Sequence, residues 1–97
     1  MKGKHMDARE QLMYLLEKYY MGKYETSTFA DEFSRIYDLE TDYSQLSNRE
    51  HELMKGLSII TARFSSNEED LKIPNAYFSE KEVKQKATKV FLELTKK

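Results

Sequence analysis

The chain has 97 residues, enough for one domain with one core, and 39% of them are hydrophobic against 34% charged. It contains no cysteine, one proline and three glycines, which excludes a disulfide scaffold, a thiolate zinc site and a cysteine nucleophile, and argues against a many-turned β-sandwich. The net charge of -1 divides into +2 over residues 1–24, -7 over 25–70 and +4 over 71–97, an acidic block between two basic ends. With so small a net charge, the chain lacks the signature of disorder despite a mean hydropathy of -0.80.

Residues 1–6, Met-Lys-Gly-Lys-His-Met, read as a basic leader or an expression remnant and are set apart from one domain over 7–97. Asp7 and Glu10 have the spacing of a reciprocal helix cap. Ala8, Leu12, Leu15, Leu16 and Tyr19 then recur at helical spacing, and Gly22 ends the run. The apolar stretch Leu12 to Leu16 meets Glu17 and Lys18 at once, too early for a membrane span or a signal core. A cytoplasmic protein is therefore expected. A second helix starts at Thr26-Ser27-Thr28, with Phe29, Phe33, Ile36 and Tyr37 as its inward stripe. Ser47 with Glu50 opens a third helix, whose expected inner face is Leu53, Leu57, Ile60 and Phe64. Ser79 with Glu82 opens a fourth, carrying Val83, Ala87, Val90, Phe91 and Leu94. Residues 65–78 form the one long connection, with Leu71, Ile73, Tyr77 and Phe78 expected to pack over an end of the core. The expected fold is all-α: an antiparallel four-helix bundle with one longer loop between the third and fourth helices.

On the second helix, Asp31, Asp38 and Asp42 fall opposite the apolar stripe, Glu32 lies on a flank, and Arg35 interrupts them. Such a face is either ordinary solvated surface or a docking surface for a basic partner. Asp38-x-Glu40-x-Asp42 begins like a calcium loop, but Tyr43 stands where glycine is required and Arg49 where glutamate is. His51 reads as a surface histidine, since neighbouring Glu52 faces another way on a helix. No metal, cofactor or catalytic constellation is expected. The lysines of the last helix (Lys81, Lys84, Lys86 and Lys89) are interleaved with Glu80, Glu82 and Glu93. That pattern does not form the concentrated stripe that nucleic-acid binding requires.

One family pattern runs through about three-quarters of the chain. Its features are Gly22-Lys23 after a first helix, Phe29 with Glu32-Phe33-Ser34 and Tyr37, and a leucine link through Leu46. An acidic-apolar helix from Glu50 follows, then Arg63-Phe64 before a polar loop and Ser79-Glu80-x-Glu82-Val83. In these features the chain resembles the colicin D-like bacterial self-protection immunity proteins. In that family the loop after the aromatic residue tends to carry Pro-Asp. Here it reads Ser65-Ser66-Asn67, with Glu68, Glu69 and Asp70 next.

The resemblance implies a small helical, non-enzymatic protein that binds the nuclease domain of a co-encoded toxin. The nuclease would be one that cuts transfer RNA, and carboxylates would occupy its phosphate sites. The acids expected to make contact are Asp31, Glu32, Asp38, Asp42, Glu68, Glu69 and Asp70, with Tyr43, Phe64 or Tyr77 as the buried anchor. No direct nucleic-acid or membrane partner is expected, and the oligomeric state is left open. The competing expectation is a helical adaptor that docks a partner's amphipathic helix in an apolar groove, with Tyr14, Met21 and Ile59 as outward apolar residues.

Overall fold

A computed structural model describes residues 7–74 and 76–96. The leader assigned to residues 1–6 lies outside the described residues, as does His5. Three helices begin on side chains that exchange hydrogen bonds with their own first turn, satisfying amides that have no partner within the helix. Asp7 accepts from the Glu10 amide at 2.8 Å while Glu10 accepts from the Asp7 amide at 3.1 Å, and this cap opens α1 (Ala8–Tyr20). Ser47 and Glu50 open α3 (Asn48–Ala62) in the same way, and Ser79 and Glu82 open α5 (Glu80–Thr95). α1 stops where expected. Gly22 takes φ +80°, its amide donates to the Tyr19 carbonyl at 3.0 Å, and the Lys23 amide donates to that of Lys18 at 2.8 Å. These bonds satisfy the last free carbonyls, in a left-handed geometry that glycine adopts without strain.

The expectations fail in three places. α2 (Thr26–Arg35) starts behind Glu25 without a side-chain cap and does not continue as an α-helix through Tyr37. Ile36–Glu40 forms a wider π turn, and Tyr43–Gln45 adds a 3-10 turn. The long connection holds a fifth helix, α4 (Glu68–Leu71), so the described residues contain five α-helices rather than four. Its Asn67 side chain caps the Glu69 amide at 2.8 Å. Arg63, Ser65 and Phe78 close the ends of that connection by backbone bonds of 2.8 and 3.0 Å, in a single parallel bridge between Phe64 and Phe78. Of the residues expected to cover the core end, Phe78 packs against the core and Leu71 is half-buried, while Ile73 and Tyr77 are exposed. The buried line of α3 is Met54, Leu57, Ser58 and Thr61, with Leu53, Ile60 and Phe64 at its margin, a rotation of about one residue from the expected face.

The fold is all-α among the described residues. Its core is Leu12, Leu15, Leu16 and Tyr19 from α1, Phe29 and Phe33 from α2, Ile36 and Tyr37 from the π turn, Leu46, Met54, Leu57, and Val83, Ala87 and Val90 from α5. Polar ties fix which helix ends meet. Arg9 at the start of α1 holds Glu50 at the start of α3 with two nitrogens, one at 3.1 Å, and Arg49 pairs with Glu93 near the end of α5. Where α1 ends and α2 and α5 begin, the Thr26 hydroxyl donates to Glu80 at 2.9 Å. A hydroxyl has one proton, so the Tyr19 hydroxyl is the donor in its 2.8 Å bond to Thr26. Ser34 and Thr61 join α2 to α3 at 2.7 Å.

Two outcomes test these ties. Thr26→Val leaves the Tyr19 hydroxyl buried without its acceptor and is expected to cost about 1–3 kcal/mol in urea unfolding. Adding Tyr19→Phe removes the orphaned group, so the double variant is expected to be no less stable than Thr26→Val alone, and additive losses would refute the bond. Glu50 is held below its ordinary 4.5 chiefly by the Arg9 guanidinium, helped by the Ser47 amide, with partial burial opposing. A lowered folded value means that the stabilisation is present above the ordinary value and is lost as pH falls through the folded one. Glu50→Gln is expected to cost about 1 kcal/mol at neutral pH and to flatten the decline of unfolding free energy below pH 4.5. An equally steep decline would refute this role.

Candidate functional site

The π turn Ile36–Glu40 departs from regular α-helix geometry, and such turns occur frequently at functional sites. Two side chains terminate it. The Thr41 hydroxyl donates to the Ile36 carbonyl at 2.8 Å, and the Tyr43 hydroxyl donates to the Tyr37 carbonyl at 3.1 Å. The second bond lays the Tyr43 ring against the end of the core. Tyr37, Tyr43 and His51 form a three-ring cluster with centroid separations of 5.0 Å (Tyr37–Tyr43), 5.0 Å (Tyr43–His51) and 6.2 Å (Tyr37–His51). His51 is thus half-buried against two tyrosines and is no plain surface histidine. Burial, before the neighbouring Tyr43 and Asp38, pushes the Tyr37 phenol up to about 12. The protonated phenol lies 3.2 Å from His51 Nδ1.

Beside this cluster lies an open depression of about 330 Å³, lined by Tyr37, Asp38, Tyr43, His51, Lys55, Ser58 and Ile59. Asp38, exposed on the π turn, lines this depression beside side chains of α3. Asp38 and Tyr43 are therefore the two sequence-predicted residues that share a site.

The other predicted acids have different settings. Asp31 is exposed on α2. Glu32 pairs with Arg35 at 2.7 Å, and the same guanidinium holds Glu40, so Arg35 neutralises part of the acidic face. Asp42 accepts from the Ser44 hydroxyl at 2.6 Å and from its amide at 3.0 Å, and these bonds lower its carboxyl below the usual value. On α4, Glu68 is exposed, Glu69 pairs with Lys72 at 3.2 Å, and Asp70 accepts from Ser65 at 2.9 Å. Phe64 packs against the core and Tyr77 is exposed.

Sequence reasoning missed His51, Lys55 and Ser58 as site residues. The one available signal was the helical register of α3, which puts 51, 55, 58 and 59 on one side. No group of three or more metal-ligating side chains is present among the described residues, and no helix among them is long and apolar enough to cross a membrane. A second depression, of about 340 Å³, runs between α1 and α5 along Arg9, Glu10, Met13, Tyr14, Glu17, Phe91 and Thr95. No family model, curated protein or solved structure matches the chain.

The raised Tyr37 phenol carries a checkable consequence. A raised folded value means that its stabilisation is complete below the ordinary 10.0 and is lost as pH rises toward 12. Ultraviolet titration is expected to show a late ionisation to which Tyr37 contributes beside Tyr19, whose phenol is also raised by burial, and Tyr37→Phe is expected to reduce its amplitude by one tyrosine. A late step of undiminished amplitude in the variant would refute the assignment.

Proposed function

We propose that this chain is a non-enzymatic inhibitor of the immunity type, which binds the nuclease domain of a co-encoded toxin in the cytoplasm. Its four long helices would form an antiparallel bundle, an arrangement supported by the Arg9–Glu50, Arg49–Glu93 and Thr26–Glu80 ties between helix ends. The observation that carries the reading is a set of outward carboxylates that the fold itself does not use. Asp31, Asp38 and Glu68 are exposed, and none makes an ion pair among the described residues. A nuclease holds RNA with lysine and arginine, and carboxylates at phosphate-like positions compete for those cations with charge-assisted hydrogen bonds. Opposed fields also raise association toward ~10⁸ M⁻¹s⁻¹ at low salt, against ~10⁵–10⁶ without steering. A transfer-RNA-cutting nuclease is the target class that the sequence resemblance favours.

The second reading is the helical adaptor, favoured by the α1–α5 depression and by exposed Tyr14, Tyr20, Met21 and Leu92. The inhibitor reading requires an adjoining reading frame that ends in a lysine-rich domain; co-expression with that domain, followed by binding kinetics at rising salt, separates the two. The inhibitor reading expects co-purification and a steep loss of affinity with salt. It also expects Asp31→Lys with Asp38→Lys to slow association about tenfold or more while leaving the melting temperature unchanged. A complex indifferent to both salt and charge reversal would overturn it in favour of the groove.

A further inference from the structure

We infer that the depression between the π turn and α3 is a receptor for an arginine side chain presented by a protein partner. The inhibitor reading above supplies the source of that arginine, a loop of the bound protein, and the inference rests on that reading for its occupant. The chemistry of the walls selects the side chain. The Tyr43 hydroxyl is engaged by the Tyr37 carbonyl, the Tyr37 hydroxyl by His51 Nδ1, and the Ser58 hydroxyl by the Lys55 carbonyl at 2.8 Å. What these walls still offer a ligand is therefore mainly ring faces, the exposed aliphatic side chain of Ile59, the Asp38 carboxylate, the Lys55 ammonium and the Nε2 of His51.

Tyr43 is 43% exposed, yet its ring is held at both ends, by its hydroxyl bond and by its contacts with Tyr37 and His51. A ring fixed in advance loses little freedom when a ligand stacks on it. The negative faces of aromatic rings attract cations and disfavour anions. Among cations, guanidinium is planar, weakly hydrated and forked. It can lie on the Tyr43 ring and donate to Asp38 together, which a compact ammonium cannot match. Lys55 opposes a cation, but it is a long exposed side chain that can turn into solvent, whereas the carboxylate of Asp38 is carried on a short side chain from the backbone of the π turn. Asp42, beside Tyr43, adds to the negative field.

Because Asp38 and Lys55 line one depression with opposite charges, their removal gives opposite signs. The test is a two-dimensional NMR titration of the full chain with a blocked tetra-arginine peptide, with tetra-lysine and tetra-glutamate peptides as controls. Tetra-arginine is expected to shift Tyr43, His51 and Ile59 together and to bind more tightly than tetra-lysine. Asp38→Asn is expected to weaken it about threefold to fivefold, and Lys55→Ala to tighten it by a similar factor. Shifts produced by tetra-glutamate, or the reverse signs in the two variants, would show an anion site and overturn the inference. So would tetra-arginine shifts scattered away from the depression or insensitive to Asp38→Asn. Peptide binding is read without any nuclease, so this result and that of the co-expression experiment can fail independently.

Discussion

The structure depends on a column of contacting rings, some stacked and some tilted, through its centre. Tyr19 lies flat on Phe29 at 4.2 Å, Phe29 meets Phe33 at 5.5 Å, Phe33 lies parallel to Tyr37 at 6.4 Å, and Tyr37 meets Tyr43 and His51. One stripe of α2 and its π turn supplies the middle of this column, and α1 and α3 supply its ends. Aromatic side chains bury more area than other residues and prefer a limited set of contact geometries. A thin chain with a lean hydrophobic fraction can therefore draw much of its order from a few of them. Each end of the column finishes in a polar atom that must be satisfied: the Tyr19 hydroxyl through Thr26 to Glu80, and the Tyr37 hydroxyl at His51. These two closures also set the helix ends, so packing and topology are fixed by the same residues.

What the sequence made legible was local. The three reciprocal caps and the Gly22 stop were readable because each is decided by side chains three or four residues apart, within one turn of chain. The Phe29, Phe33, Ile36, Tyr37 stripe was readable for the same reason. Reading the inner face of α3 one residue off had a physical cause. Thr61 and Ser58 are buried polar residues whose place there is secured by Ser34 on another helix and by backbone carbonyls. A hydrophobicity pattern passes over them and selects Ile60 and Phe64 instead. The π turn was likewise invisible, because the groups that stabilise it, the Thr41 and Tyr43 hydroxyls, act from beyond the helix on its last carbonyls.

The candidate site was legible in part, and the shortfall has the same origin. Asp38 was named from the acidic stripe and Tyr43 as a candidate buried anchor, by separate arguments. Asp38 lies on the π turn and Tyr43 on the 3-10 turn, so their meeting in one depression depends on two departures from a regular α-helix. His51 and Lys55 enter only once α3 lies alongside. Counting carboxylates also overstates the field. The central block holds a net -7, but Glu32 and Glu40 share Arg35, Glu50 holds Arg9, and Glu69 meets Lys72. The charge left unpaired is carried by fewer residues, Asp31, Asp38 and Glu68 among them.

Those remaining acids contribute little to folding. Exposed carboxylates without partners lie outside the column, the caps and the helix-end ties, and their mutual repulsion in water is small and screened. The depression stands in the opposite relation to the core, since Tyr37 is both its wall and the last buried ring of the column. A ligand seated there touches the end of the structural spine, and by linkage its binding energy adds to the stability of the folded chain. A loosely formed site on the α4 loop would lack that coupling, because the ties of that helix are local: Asn67 to Glu69, Ser65 to Asp70, Glu69 to Lys72. Under the proposed function, rigid recognition would belong at the π turn, and Glu68 of α4, exposed and outside these ties, would act in steering over distance.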